Sequence, residues 1–391
     1  MRRTVELVLV SPEGELLGAL PPVAASAPWW QEVGEVATPA CQVLRLLYAD
    51  RPAPPGGHVT YLAEWSPGAG SPPAALVPLD AGVDLAPHPL RAPYAEVGGP
   101  AASLAWALEA AGAAHARQIR TWNLSAIWRL DDAGERPIAW LKQVPSFFAH
   151  EPEAIRLVSS IVPGLVPPLL AAGDAGRMLL GHVEGADRYE AGAELCGRIA
   201  SAFHPIQVEL ALDSPPGGDP SLNAIPDGSI DPQRIARLAE PYLDDIKGLG
   251  SLVDGLPARL AAVEECGLPV TLVHGDLHPG NVRTDDAGRL TIMDWGDCFL
   301  GNPAFDILRL TGWMTDDSEP VLRAWAQRWE RDRPGSDPMR AVELLRPVAQ
   351  LRAAATYAAF IAAIEPSEWP YHADDIPACL TAAVSASIVK E

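Results

Sequence analysis

The sequence predicts an α+β protein made of two or three folding units. Its 391 residues exceed the usual size of one domain, and 48% hydrophobic content is enough for a sizeable core. Strand-like segments are frequent in the first half of the chain, whereas helical patterns dominate after residue 184. A polar loop between two short apolar runs, within residues 270–294, is the candidate functional site.

The first 112 residues are expected to form a small α+β extension. Strand-like runs occur at 5–10, 42–48 and 58–65, and a helix is expected near 101–114. Segments rich in Pro and Gly separate these runs, which indicates turns and loops. The role of this extension stays open between a substrate lid, a dimerisation surface and a simple addition to the fold.

The next strand signal carries an isolated lysine. Residues 137–144 predict a strand, and Lys142 is the only lysine in the first 246 residues. The following helix opens with two acids, Glu151 and Glu153. Glu151 lies on the apolar face of that helix, which favours it as the inward-facing acid, although an acid in the first helical turn is also typical of helix-dipole complementation.

The most informative motif is the polar loop itself. Residues 274–281 read His-Gly-Asp-Leu-His-Pro-Gly-Asn, directly after the apolar, β-branched run 270–273. A turn and the apolar run 290–293 then predict a hairpin that ends at Asp294. A hairpin of this length brings Asn281 and Asp294 close together.

These side chains suit phosphoryl transfer to a hydroxyl. The attacking hydroxyl needs a carboxylate that orients it and accepts its proton, and Asp276 meets that need. Mg²⁺ needs hard oxygen ligands near the phosphates, and Asn281 and Asp294 supply them. The spacing therefore indicates a kinase-type site.

The motif is followed by a third element, Pro303-Ala304-Phe305-Asp306. A His-Gly-Asp-x-x-x-x-Asn loop, a hydrophobic-Asp metal site and a Pro-x-x-Asp element occur in this order in one known family. The chain thus resembles the aminoglycoside phosphotransferase-like branch of small-molecule kinases. The resemblance implies a bilobal protein-kinase-like fold, with a β-rich N-lobe and a mostly helical C-lobe.

The resemblance assigns roles to polar residues of the loop and of the two elements that follow it. Asp276 would be the catalytic base, and Asn281 and Asp294 would bind Mg²⁺. His274 and Asp306 would brace the loop. An acceptor would rest against the last helices and the chain after Asp294.

The resemblance also implies a nucleotide site in the smaller lobe. Lys142 would reach the α- and β-phosphates, with Glu151, or alternatively Glu153, as its partner. The backbone carbonyl of Gly181 and the backbone amide of Val183 would read the adenine edge, although an ordinary buried strand fits this segment equally well.

The implied domains are the extension at 1–112, the N-lobe with its hinge at 113–183, and the C-lobe at 184–391. One departure concerns the loop that covers the phosphates in protein kinases, because the corresponding segment, 120–128, contains no glycine. Asn123 or Ser125 could donate to a phosphate there, and a hydrogen-bonded β-turn explains both residues as well.

The function implied is transfer of the γ-phosphate of ATP or GTP to a hydroxyl of a small molecule. An antibiotic is the first expectation for the acceptor. A housekeeping sugar or amino-alcohol kinase is the alternative, and a catalytically silent nucleotide-binding scaffold is a third. The complete set of Lys142, Asp276, Asn281 and Asp294 argues against the silent scaffold.

The composition of the chain restricts the binding partners and the cellular location that can be expected. The net charge of −21 disfavours binding to nucleic acid, since neutralising phosphates takes basic clusters; it would steer a cationic substrate or simply maintain solubility. No apolar run reaches the ~18 residues that span a bilayer, so no membrane association is expected. Five scattered cysteines without C-x-x-C spacing favour the cytoplasm over a disulfide framework or a zinc site. A homodimer is compatible with the sequence.

Overall fold

The computed structural model describes residues 2–66, 76–77, 82–212 and 222–388. The chain divides into two compact units. The first unit contains Met1–Ala149, Pro168–His182 and Ala359–Asp374, and the second contains His150–Pro167, Val183–Ala358 and Asp375–Glu391.

The amino-terminal part of the first unit is a mixed sheet. Its strands are β1 (Arg3–Val10), β2 (Leu16–Ala19), β3 (Val23–Ala25), β4 (Cys41–Ala49) and β5 (Gly57–Trp65). The order is β2-β1-β5-β4, with β3 also on β1, and only the β1–β5 pairing is parallel among these strands. Alternate residues of β1 enter different cores, Val5 and Leu7 on one face and Val8 and Val10 on the other. The strands expected at 5–10, 42–48 and 58–65 are confirmed.

An antiparallel sheet forms the rest of this unit. After helix α1 (Gly99–Ala111) come β6 (His115–Trp122), β7 (Ser125–Asp131), β8 (Pro137–Gln143), β9 (Leu169–Ala172) and β10 (Arg177–Gly181), in the order β6-β7-β8-β10-β9. The strand expected at 137–144 is confirmed, and it is central in the sheet. Trp128, Leu141 and Leu179 pack in its core, together with apolar residues of α1.

The amino-terminal extension covers the outer edge of this sheet. The backbone amides of Val33 and Gly34 both donate to the carbonyl of Ile119 on β6, at 3.1 Å. The side-chain amide of Gln118 bonds both the N–H and the C=O of Val43, each at 2.8 Å. These contacts protect an edge strand that would otherwise present unpaired backbone groups. The division of the chain at residues 112 and 183 stays a prediction.

The second unit is mostly helical. Its helices are α2 (Glu151–Ile161), α3 (Ala193–Glu209), α4 (Pro232–Ala239), α5 (Leu249–Asp254), α6 (Leu256–Glu264), α7 (Ala304–Thr311), α8 (Glu319–Asp332), most of α9 (Pro338–Ala363), and α10 (Asp375–Ser387). The expected α+β class, with a sheet-rich part and a mostly helical part, is confirmed. No helix within the described ranges is long and apolar enough to cross a bilayer.

Short strands lie among these helices and carry the candidate site. They are β11 (Ala186–Asp187), β12 (Thr271–Val273), β13 (Val282–Thr284), β14 (Leu290–Ile292) and β15 (Phe299–Gly301). Strand β12 pairs with β15, and β13 pairs with both β11 and β14. All three residues of β12 are buried, so the loop that follows starts from a fixed point.

Candidate active site

The loop after β12 depends on a glycine. Gly275 has φ of 82°, and a Cβ atom placed there would lie 2.1 Å from the carbonyl oxygen of Asp297. An L side chain is disfavoured in this backbone region, and this one would also collide with backbone. Gly275 therefore lets the chain turn tightly between the buried strand and Asp276.

His274 connects the loop to the strand that precedes Asp294. Its ring is fully buried; Nε2 donates to the carbonyl of Met293 at 2.9 Å, and Nδ1 accepts from the amide of Asp276 at 3.3 Å. Burial lowers the pKa of His274 to about 4, against the opposing effect of the Met293 hydrogen bond. The neutral ring can therefore donate at one nitrogen and accept at the other.

Asp306, at the start of α7, is hydrogen-bonded to the backbone of the same loop. Its carboxylate accepts from the amides of His274 and Gly275, at 3.0 and 3.1 Å, and from Nε2 of Gln207 at 3.0 Å. Burial raises the pKa of Asp306 to about 7, and the two backbone donors act to lower it. The structure thus gives His274 and Asp306 the contacts expected of bracing residues.

The carboxylate of Asp276 is surrounded by donors. Nδ2 of Asn281 donates to the backbone carbonyl oxygen of Asp276 and to Oδ2 of its side chain, both at 3.0 Å. Nε2 of His278 lies 3.5 Å from Oδ2. Nε of Arg309 donates to Oδ1 at 2.8 Å. Although burial acts to raise the pKa of Asp276, the His278 hydrogen bond and the Arg309 charge hold it well below its ordinary value. Asp276 is therefore ionised.

The hairpin brings Asn281 beside Asp294, as the sequence predicts. Val282 pairs with Ile292, and the amide of Met293 donates to the carbonyl of Asn281 at 2.8 Å. Asp294 follows at once with φ of 62°, a left-handed conformation that Asp tolerates better than most residues. Backbone outliers of this kind concentrate at functional sites, where the surrounding structure holds them.

The donor atoms at this hairpin fit magnesium. Since Nδ2 of Asn281 is committed to Asp276, its Oδ1 is the atom left for a cation. In the described ranges no three His, Cys, Asp or Glu side chains form a ready metal cage. Mg²⁺ commonly takes one or two protein oxygen ligands and completes its shell with phosphate and water, so Asn281 and Asp294 suit it.

Helix α2 presents Glu151, not Glu153, to this part of the unit. Glu151 is 1% exposed, and its Oε1 accepts from the amide of Trp295 at 3.1 Å. Glu153 forms a surface ion pair with Arg156 on the same helix. The structure therefore favours Glu151 as the inward-facing acid, in agreement with its place on the apolar face.

The nucleotide-side candidates belong to different units. Lys142 is buried on β8, opposite Ile127 of β7 and Met178 of β10. Gly181 ends β10, and Val183 begins the next segment of the second unit. The roles of Lys142, Gly181 and Val183 in nucleotide binding, and of Glu151 as the partner of Lys142, stay predictions.

In the turn between β6 and β7, the hydrogen bonds of Asn123 and Ser125 to other protein groups favour the β-turn interpretation of these two residues. Asn123 is buried; its Nδ2 donates to the carbonyl of Glu368 at 3.3 Å, and its Oδ1 accepts from Nε2 of His372 at 3.0 Å. Oγ of Ser125 accepts from Nε1 of Trp122 at 3.2 Å. The amide of Asn123 is therefore committed to protein groups, which argues against phosphate binding by that side chain.

One residue beside Asp276, Arg309, has no role in the predictions from sequence, and another, Trp313, lies in the chain after Asp294, where an acceptor is expected to rest. Arg309 lies on α7, three residues after Asp306, a spacing that places both on neighbouring turns. Trp313 stacks on the ring of His278, with ring centroids 4.9 Å apart, and its side chain is 45% exposed. The spacing from Asp306 was the only sequence signal for Arg309, whereas Trp313 is one of the side chains that the segment after Asp294 offers to an acceptor.

Comparison with known proteins gives a family match over part of the chain. Residues 162–342, which include the whole loop and hairpin, match the model of the phosphotransferase enzyme family. A search of curated protein sequences finds no match. The match confirms the resemblance drawn from the motif and the expectation of a phosphotransferase.

Solved structures resemble the chain only distantly. Macrolide 2′-phosphotransferase MphH from Brachybacterium faecium is 17% identical, with 74% of this chain and 98% of that chain covered and a TM-score of 0.48. A choline/ethanolamine kinase family protein from Mesorhizobium loti is 15% identical, with 71% and 93% covered and a TM-score of 0.48. The ADP-bound aminoglycoside phosphotransferase APH(2″)-Ib is 14% identical, with 74% and 99% covered and a TM-score of 0.48.

Proposed function

We propose that this chain, whose residues 162–342 belong to the phosphotransferase enzyme family, is a kinase that transfers the γ-phosphate of ATP or GTP to a hydroxyl of a small molecule. The observation that carries the proposal is the position of Asp276. Its carboxylate is ionised and is hydrogen-bonded to Asn281. Asn281 directly precedes β13, the strand that pairs with β14 before Asp294. The proposed base and the proposed metal ligands thus lie in one continuous segment, made of the loop after β12 and the hairpin that follows it.

Asp276 is proposed to orient the attacking hydroxyl and receive its proton. Phosphoryl transfer passes through a loose transition state, so orientation contributes more than early deprotonation, and a carboxylate with a low pKa suffices. His274 and Asp306 keep its backbone in place.

Asn281 and Asp294 are proposed to hold Mg²⁺ through their side-chain oxygens. These side chains would place the positive charge of the ion beside the phosphates of the nucleotide, where it would offset their negative charge. Lys142 is proposed to contact the α- and β-phosphates, with Glu151 as its partner. Gly181 and Val183 are proposed to bind adenine through backbone groups.

The first acceptor class that we propose is an antibiotic, on the resemblance of the motif to the aminoglycoside phosphotransferase-like family. A housekeeping sugar or amino-alcohol kinase is the alternative. Expression of the chain in a susceptible host separates the two, because only an antibiotic kinase changes drug susceptibility. We also propose a cytoplasmic location, where ATP is available.

The test of the proposed function is phosphate transfer by the Asp276→Ala variant. We expect its turnover to fall by at least the ~10²-fold typical of a lost general base, while nucleotide affinity stays within about twofold. Nucleotide consumption and NMR of the product measure this in a screen of hydroxyl compounds. Asp286→Ala, an exposed acid in the turn of the same hairpin, is the matched control. Equal rates in Asp276→Ala and the control would defeat the proposal.

A further inference from the structure

Arg309 binds the candidate base from the side opposite Asn281. Its Nε and Nη2 lie 2.8 and 2.6 Å from Oδ1 of Asp276, whereas Asn281 and His278 approach Oδ2. The side chain is 42% exposed, and Nη1 has no protein acceptor among the described residues. A guanidinium carries five N–H donors in a planar fork, so part of this fork remains available to a ligand beside Asp276.

Stacking holds this guanidinium in place. Its Cζ lies 5.3 Å from the centroid of the Trp313 ring, and that ring stacks in turn on His278. Arg309 is thus fixed by an ion pair at one edge and an aromatic ring at its face, unlike a solvated surface arginine. A fixed donor beside the base can distinguish between ligands by geometry as well as by charge.

We propose that Arg309 is a specificity-determining residue. Its guanidinium donates to an oxygen bound to the carbon adjacent to the one that carries the reacting hydroxyl of the acceptor. The inference rests on the proposed function. Any hydroxyl within hydrogen-bonding distance of Asp276 comes close to the guanidinium, because the two groups touch. The other groups around that carboxylate, from Asn281 and His278, are also donors.

The preferred acceptors therefore carry a hydroxyl or a carboxylate beside the reacting hydroxyl. Such an oxygen accepts from the fork of Arg309 and forms a charge-assisted hydrogen bond. An ammonium in the same place finds a like charge and further donors, and it leaves the fork unpaired. The site should thus favour sugar-like diols over amino alcohols.

Matched acceptor pairs test this inference. We would compare ethylene glycol with ethanolamine, and propane-1,2-diol with 1-aminopropan-2-ol, by kcat/KM in wild type, Arg309→Met and Arg309→Lys. Wild type should favour the oxygen member of each pair by roughly tenfold or more, as expected for one charge-assisted contact. The preference should vanish in Arg309→Met and be intermediate in Arg309→Lys, which keeps the charge without the fork.

A purely structural role for Arg309 would lower all rates alike and leave the preference unchanged. Arg323→Met, which removes an exposed arginine paired with Glu319 on α8, is the control. A wild-type preference for the ammonium member, or an unchanged preference in Arg309→Met, would overturn the inference. Nucleotide KM should stay within about twofold in every variant, since Arg309 acts on the acceptor.

A second measurement works without turnover. In protein with ¹⁵N-labelled arginine, the Nε signal of Arg309 is assigned by its loss in Arg309→Lys. The signal should shift on addition of ethylene glycol or propane-1,2-diol and not with the two amines. No shift, or a shift with the amines instead, would refute the inference. Failure of the proposed function would give a different result, namely no nucleotide consumption with any hydroxyl compound.

Discussion

At the residue scale, the chemistry of the site restricts which side chains are possible. Metal ligands and a general base need oxygen-bearing groups at a defined spacing, so Asp276, Asn281 and Asp294 stand out in the sequence. Arg309 does not, because an arginine on a helix has many possible partners and only the tertiary structure places it on Asp276. The positions that sequence reveals are those whose neighbours are close along the chain.

Gly275→Ala should be far more damaging than an alanine at another glycine with positive φ. Both Gly275 and Gly335 have left-handed φ, at 82° and 92°, so each alanine costs roughly 1–2 kcal/mol of backbone strain. Only at Gly275 would the new Cβ also meet backbone, the carbonyl of Asp297; at Gly335 nothing lies within 4 Å.

Urea unfolding and nucleotide turnover would measure both alanine variants. We expect a larger loss of unfolding free energy in Gly275→Ala, together with a fall in turnover, and unchanged turnover in Gly335→Ala. Equal behaviour of the two variants would show that the close approach to Asp297 does not shape the loop.

At the element scale, strands and the hairpin follow the sequence well, because alternation and turn residues are local signals. The helical pattern predicted after residue 184 includes 231–247, yet α4 ends at Ala239, and Glu240–Tyr242 form a 3₁₀ turn. Pro241 explains the difference, since it lacks an N–H and cannot continue an α-helical hydrogen-bond ladder. Helix ends set by one residue are harder to predict than helix interiors.

We expect the stability of the first unit to depend on pH, because the segment 359–374 contains a buried acid, Glu368. Burial raises the pKa of Glu368 to about 8, against the hydrogen bond from the amide of Leu46, while the nearby Glu365 charge adds to the rise. The pKa of Glu368 in the folded state lies above its value in the unfolded state, which is near 4.5. The protonated carboxyl therefore makes its full contribution to the stability of the folded state below pH 4.5. Its contribution is lost as the pH rises towards 8.

Glu368→Gln should remove that dependence. Between pH 5 and 8 the wild-type free energy of unfolding should fall relative to Glu368→Gln, by up to ~1.4 kcal/mol per pH unit. Urea unfolding at several pH values measures the difference, and Glu109→Gln, an exposed acid on α1, is the control. Parallel pH profiles of wild type and Glu368→Gln would contradict a raised pKa.

At the scale of the whole molecule, the sequence missed how the first unit is assembled. The segment Ala359–Asp374 belongs to the unit that contains the amino-terminal sheet. Its contacts join residues hundreds of positions apart, such as Leu46 with Glu368 and Asn123 with His372. Such pairings depend on tertiary packing, and no local pattern or spacing encodes them.

The measurement that tests the central claim most directly is the Mg²⁺ dependence of nucleotide binding. Calorimetry would compare ADP binding with and without Mg²⁺ in wild type, Asp294→Asn and the control Asp286→Asn. We expect Mg²⁺ to strengthen binding at least ~10-fold in wild type and the control, and to have little effect in Asp294→Asn, which lacks the carboxylate charge. An undiminished effect of Mg²⁺ in Asp294→Asn would contradict a metal site at the hairpin.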